Sequence, residues 1–155
     1  MNIQSKLTEL GLTLPELPPA GGIYKPVLVV GDIAYVSGQV PSIAGVPQYT
    51  GKLGEVDVET GQEAAKLCAL NALSVLADHL GSLDKIERVV KTLGFVASTP
   101  DFFEQPQVIN GCSALLRDIF GEDKGIGARS AVGLSALPGN VPVEIEFQFQ
   151  VKVDG

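Results

Sequence analysis

Arg129 is the residue whose setting points most directly to chemistry. It lies in the apolar, small-residue run Gly127-Ala128-Arg129-Ser130-Ala131-Val132-Gly133, where a solvated arginine is not the expected choice. A guanidinium in such a place can hold a substrate carboxylate through two parallel hydrogen bonds. An ion pair at a subunit contact would use the same side chain, and spacing alone does not separate the two. Glu144, fifteen residues further on, stands in Val143-Glu144-Ile145-Glu146. Taken by itself, it reads as an ordinary surface residue on the polar face of a strand. The two residues fall near the starts of consecutive predicted strands, and whether they meet depends on the fold.

The other candidates are weaker. Gly125-Ile126-Gly127 lacks the third glycine and the Lys-Ser/Thr of a phosphate loop and is sufficiently explained as a turn. Cys68 and Cys112 have no neighbouring charge and fall on apolar helix faces, which points to core packing. Ser37 and Ser130 have no adjacent His–carboxylate pair, because the single histidine, His79, belongs to another element. His79 itself fits a helix C-terminus, where positive charge complements the dipole. One histidine and two cysteines do not readily build a zinc site, and the acidic residues form no metal-binding loop, so no metal is expected.

The elements that must position Arg129 and Glu144 follow from periodicity. Val143, Ile145, Phe147, Phe149, Val151 and Val153 alternate with Glu144, Glu146, Gln148, Gln150 and Lys152, predicting a long final strand with one buried face. Arg129–Ser135 is a shorter strand, separated from it by the Pro/Gly connection Leu137–Pro142. Near the N-terminus, Ile3, Leu7, Leu10 and Leu14 predict a short amphipathic helix over 1–14 with Gly11 as its stop, followed by an extended connector, Pro15–Gly22. Tyr24–Val30 and Ile33–Ser37 form a hairpin across Gly31-Asp32. Pro41–Gly54 reads as a long surface loop.

A helix is predicted from Thr60 to Leu80, burying Ala65, Cys68, Ala69, Ala72 and Leu76 with Glu63, Asn71, Ser74 and Asp78 opposite, and ending at Gly81. Ile86–Val96 is a strand near the middle of a sheet. A second long helix starts around Pro106, carries Val108, Ile109, Cys112, Leu115, Leu116 and Ile119, and stops at Gly121 before a polar turn, Glu122–Gly125. The order β-β-α-β-α-β-β after a helical arm is α+β, with a mixed sheet covered by helices on one face. The uncovered face makes a small oligomer a natural expectation.

Composition sets the class. The chain has 155 residues, 45% hydrophobic and 19% charged, which suits one globular domain with a substantial core. A net charge of −7, with no run of Lys or Arg, argues against a nucleic-acid backbone as partner. No stretch is apolar enough to span a bilayer, no secretion signal opens the sequence, and two cysteines in helices fit a reduced compartment. A cytoplasmic protein without membrane contact is expected.

At Ser37-Gly38-Gln39, Asn110, Ala128-Arg129-Ser130 and Val143-Glu144-Ile145-Glu146 the sequence resembles the Rid family of enamine/imine deaminases, also called YjgF or L-PSP endoribonuclease. The likeness covers most of residues 23–153, leaving 1–22 as an added arm and 23–155 as a RidA-like domain. It implies a chorismate mutase-like fold of the bacillus type, a mixed sheet with two helices on one face, assembled as a homotrimer with active sites in the clefts between subunits. Through it, Arg129 corresponds to the arginine that holds the substrate carboxylate and Glu144 to the glutamate that orients or activates water. Tyr24 corresponds to an aromatic lining the pocket, Asn110 to a polar neighbour, Ser37 and Gly38 to a loop of the cleft. Ala131 falls where backbone groups meet the ligand.

The implied reaction is hydrolysis of 2-aminoacrylate-type enamines or imines to 2-keto acids and ammonia, a C–N bond hydrolysis without cofactor, on a small carboxylate-bearing ligand. Two other functions share the same family background: a non-catalytic regulatory protein binding carboxylate metabolites, and an endoribonuclease or translation inhibitor. The arm, the 41–54 loop, Ala131 in place of a common cysteine and Gly127-Ala128 before the arginine depart from the usual pattern and bear on substrate choice.

Overall fold

The computed structural model describes residues 2–19 and 21–153. Met1, Ala20, Asp154 and Gly155, which the sequence reading assigns to the arm and the end of the domain, lie outside the described residues. Its elements in chain order are α1 (Ile3–Glu9), β1 (Val27–Val30), β2 (Ile33–Gln39), β3 (Ser42–Ile43), β4 (Val46–Pro47), α2 (Val58–Leu80), β5 (Ile86–Ala97), α3 (Gln105–Gly125), β6 (Ala128–Leu134) and β7 (Val143–Val151). The main sheet runs β1-β2-β7-β5-β6. All neighbours are antiparallel except β5 and β6, which are parallel because α3 crosses between them. This is the mixed α+β sheet expected from the element order.

The last strand is therefore central. β7 pairs on both sides, with β2 and β5, and its alternation sorts the sheet into two faces. Val143, Ile145, Phe147, Phe149 and Val151 are buried against α2 and α3, while Glu144, Glu146, Gln148 and Gln150 point to the open side. Val153, read as part of this buried row, is exposed at 56%, because pairing ends at Val151 opposite Ile86. β1 begins at Val27, which leaves Tyr24, Lys25 and Pro26 as an entry segment outside the sheet.

α2 differs from the two-faced helix read from its sequence. All residues from Cys68 to Leu76 are buried, including Asn71 and Ser74, which were expected on the outer side. Other parts of the chain cover that side. The Asn71 amide donates from Nδ2 to the carbonyls of Val40 and Ser42, at 3.1 and 2.8 Å, and Ser74 Oγ donates to Pro15 O at 2.8 Å. A helix enclosed on all sides needs partners for its polar side chains; here backbone carbonyls receive the donors of Asn71 and Ser74, while Asn71 Oδ1 is left without a hydrogen-bond partner among the described residues. Asp57 caps its start by accepting from Thr60 N–H at 2.8 Å, and Gly81 ends it at φ 83° as expected.

One further expectation is corrected by the same covering. The 41–54 segment is not simply a surface loop. It holds the β3–β4 hairpin, buries Pro41, Ser42 and Leu53, and joins the core through Leu53, whose N–H donates to Ala97 O. The arm packs on the same core: Leu7 is fully buried, Ile3 N–H donates to Asp84 Oδ1 at 2.8 Å, and Leu10 is left at the surface. Complete burial of one leucine contributes about 1.5–3 kcal/mol, enough to tie a short helix down. In α3, Gly121 interrupts the helix at φ 89°, but a further turn follows to Gly125 and sets the chain against Leu116 and Arg117.

Candidate functional site

Arg129 and Glu144 do not meet within one chain. β5 lies between β6 and β7, so the strands that carry them are not neighbours. Arg129 pairs with Thr92, which pairs with Phe147, placing the arginine on the helix-covered face. Glu144 pairs with Phe95, which pairs with Val132, and belongs to the open face. Two strand spacings sideways and a three-residue offset along β5 put their Cα atoms about 14 Å apart, with side chains directed to opposite sides.

Around Arg129 the geometry is specific. Arg129 Nη1 donates to Asn110 Oδ1 at 2.7 Å and to Ser113 Oγ at 3.2 Å, both on α3. Among the described residues Nη2 and Nε make no hydrogen bond, so the guanidinium is oriented by one nitrogen and keeps its remaining donors. It opens on a cavity of about 490 Å³ whose wall includes Thr92, Asn110, Ser113, Arg117 and Ala128. Ala131, two residues along, faces the same side and is half-buried against the core. Ser113 was not singled out from the sequence; its signal was the helical spacing of three from Asn110.

The other expected residues gather on the opposite side of the sheet. Glu144 lies against Gly38: a Cβ at that position would collide with Glu144 Oε2. The absent side chain lets the β2 backbone, irregular between Val36 and Gln39, approach the carboxylate. Tyr24 and Ser37 share with Tyr35, Glu146 and Gln148 a second cavity of about 300 Å³. Ser37 Oγ donates to Lys25 O at 2.6 Å and so fixes the entry segment that carries Tyr24. Burial pushes the Glu144 carboxyl above its ordinary value, and the nearby charge of Glu146 adds to the effect. A carboxyl held less acidic than usual is better suited to accept and return protons near neutral pH.

The residues set aside on sequence grounds lie elsewhere. Cys68 and Cys112 are fully buried and unpaired, and burial raises both thiols, Cys112 to about 12, which suits packing and not nucleophilic attack. His79 is exposed at the end of α2. Among the described residues no three His, Cys, Asp or Glu side chains are placed to hold a metal, and no helix is long and apolar enough to cross a membrane.

Residues 4–141 match the family model described as "YjgF/chorismate_mutase-like, putative endoribonuclease". The chain belongs to the YjgF (Rid) family. Among its relatives, protein TCP17 of Trypanosoma cruzi is 40% identical over 145 residues, covering 93% of this chain and 91% of that protein. The crystal structure of Agrobacterium tumefaciens Atu1372, described as of unknown function, has 45% identity and a TM-score of 0.87 over 97% of this chain and 92% of the other. A Shewanella oneidensis MR-1 structure with the endoribonuclease designation has 31% identity and a TM-score of 0.92, covering 97% of this chain and all of its own. Coverage this complete includes most of the N-terminal arm, so in these YjgF proteins the arm is not peculiar to one sequence.

Proposed function

We propose that the chain is a cofactor-independent enamine/imine deaminase, active as a homotrimer whose complete sites form where the Arg129 cavity of one copy meets the Glu144 face of another. The observation that carries this reading is the split itself. The family's arginine and glutamate are both present, each set in a shaped environment, yet a single chain directs them to opposite sides of the sheet. Neither half is sufficient for the chemistry. A second copy supplies the missing half, and it also covers the exposed apolar side chains Leu28, Val30, Tyr35 and Val132.

In the joined site, Arg129 binds the carboxylate of a 2-imino acid, its fork held in place by Asn110 and Ser113. Glu144 takes a proton from a water whose oxygen attacks the imine carbon. The C=N double bond becomes a single bond, and the nitrogen gains the proton. Collapse of the resulting aminoalcohol forms C=O, breaks the C–N bond and releases ammonia, so that imine and water yield keto acid and ammonia. An enamine enters by tautomerising to the imine. Orientation provides most of the acceleration, because the electrophile is intrinsically reactive. The charge of −7 and the lack of a basic surface run disfavour RNA as substrate despite the family's older designation.

Keto-acid release from imines generated in situ from several amino acids tests this reading, with wild type and Arg129→Ala each measured against the uncatalysed rate. Removing a charge-assisted pair is expected to lower kcat/KM about ten- to a hundredfold. No acceleration by wild type on any imine would replace the deaminase with a carboxylate-binding protein.

A further inference from the structure

The lining of the Arg129 cavity includes a second arginine, Arg117, and no Asp or Glu, in a chain whose net charge is −7. Arg117 is no stray surface residue in this respect. Asn110, Ser113 and Arg117 stand at helical spacings of three and four on α3, and all three line the same cavity. The first two hold Arg129. The third therefore sits along the same helix stripe, one turn from Ser113 and two from Asn110, the residues that orient the carboxylate-binding fork.

We propose that this cavity takes a dicarboxylic ligand, with Arg129 on the carboxylate beside the reacting carbon and Arg117 on the distal one. The proposal rests on the deaminase reading for the chemistry and names its substrate class: imines of dicarboxylic amino acids. Arg117 is available for that role. Its ion partner is Asp118, the next residue in the chain, at 3.5 Å, and the two side chains are exposed at 47% and 50%, where solvent weakens such pairs. A guanidinium has five donors, and Asp118 takes one from Nη2. Size agrees as well. A cavity of about 490 Å³ is larger than the imine of a three-carbon acid requires, and it lies within the usual range of ligand pockets. A dianion can pair with both arginines of the lining, whereas a monoanion can pair with only one.

Calorimetric titration of the purified full-length protein with 2-oxoglutarate and with 2-oxopentanoate tests the proposal. These 2-oxo acids have equal chain length and differ in the distal carboxylate. Wild type is expected to bind 2-oxoglutarate tighter by about tenfold or more, the effect of one charge-assisted contact. Arg117→Gln is expected to bring the ratio of the two affinities to about one, and Arg117→Lys to retain part of the preference. Equal wild-type affinities, or a ratio unmoved by Arg117→Gln, would overturn the dicarboxylate assignment and leave the deaminase reading intact. Conversely, a preference that depends on Arg117 without turnover of any imine would sustain the dicarboxylate site and overturn the deaminase.

Discussion

Glu144 is the residue whose environment makes the sharpest solution prediction. Burial and Glu146 raise its pKa in the folded chain. The folded protein therefore binds a proton on Glu144 more tightly than the unfolded chain does. The stability linked to that proton is fully present below the unfolded pKa and is lost as pH rises through the raised folded value. Glu144→Gln is expected to raise Tm at neutral pH, with the difference closing on acidification, while kcat falls on the order of 10²–10⁴-fold. Thermal melts and pH–rate profiles check both halves. In the same profiles, Glu146→Gln should move the acid limb of kcat/KM to lower pH, since one cause of the raised pKa has been removed. Gly38→Ala makes a different prediction: the new Cβ displaces a flexible carboxylate tip and not backbone. It should fold with a nearly unchanged Tm yet lose activity of the same order as Glu144→Gln, a separation that comparison of Tm with kcat will display.

At the scale of elements, α2 is the structural axis, and its polar side chains decide how the arm and the 41–54 segment attach. Asn71 holds the Val40 and Ser42 carbonyls and Ser74 holds that of Pro15. Asn71→Ala removes the side-chain donor from the Ser42 carbonyl, while that of Val40 keeps the Ser42 N–H, and is expected to cost about 1–3 kcal/mol, measured by denaturant titration. Hydrogen exchange should show the change concentrated around the β3–β4 hairpin, not in β5 or β7. α3 has a separate role. It is the helix that lines the Arg129 cavity, through Asn110, Ser113 and Arg117 among others, so changes at these three are expected to alter ligand binding before they alter stability.

At the scale of the whole molecule, the separation of Arg129 from Glu144 gives the strongest test of the assembly. Arg129→Ala and Glu144→Gln subunits are each expected to retain about a tenth of wild-type activity or less alone. When they are unfolded together and refolded, an interface that receives Arg129 from one variant and Glu144 from the other is intact. With equal mixing, about a quarter of the sites meet that condition, so about a quarter of wild-type activity should return. A site contained in one chain would return no more than the separate variants show. Sedimentation of the same mixture reports whether the copies have assembled, which keeps a failure of refolding apart from a failure of the shared site.

The sequence by itself determined the class of nearly every element, because alternation in β7 and 3.6-residue periodicity in α2 and α3 are local properties of burial. It also contained the arginine, the glutamate and the Ser37-Gly38 pair, whose types and spacing carried the family likeness. It did not reveal Ser113 as a partner of Arg129, nor Asn71 and Ser74 as buried anchors, because each contact joins residues distant in the chain. Nor did it order the strands. Insertion of β5 between β6 and β7 is a choice among global packings, made by the crossover of α3 and by burial of one face of β5 beneath the helices. That choice alone sends Arg129 and Glu144 to opposite sides of the sheet: strand parity sets the face of each residue relative to its neighbours, and only the tertiary arrangement sets which strands are neighbours.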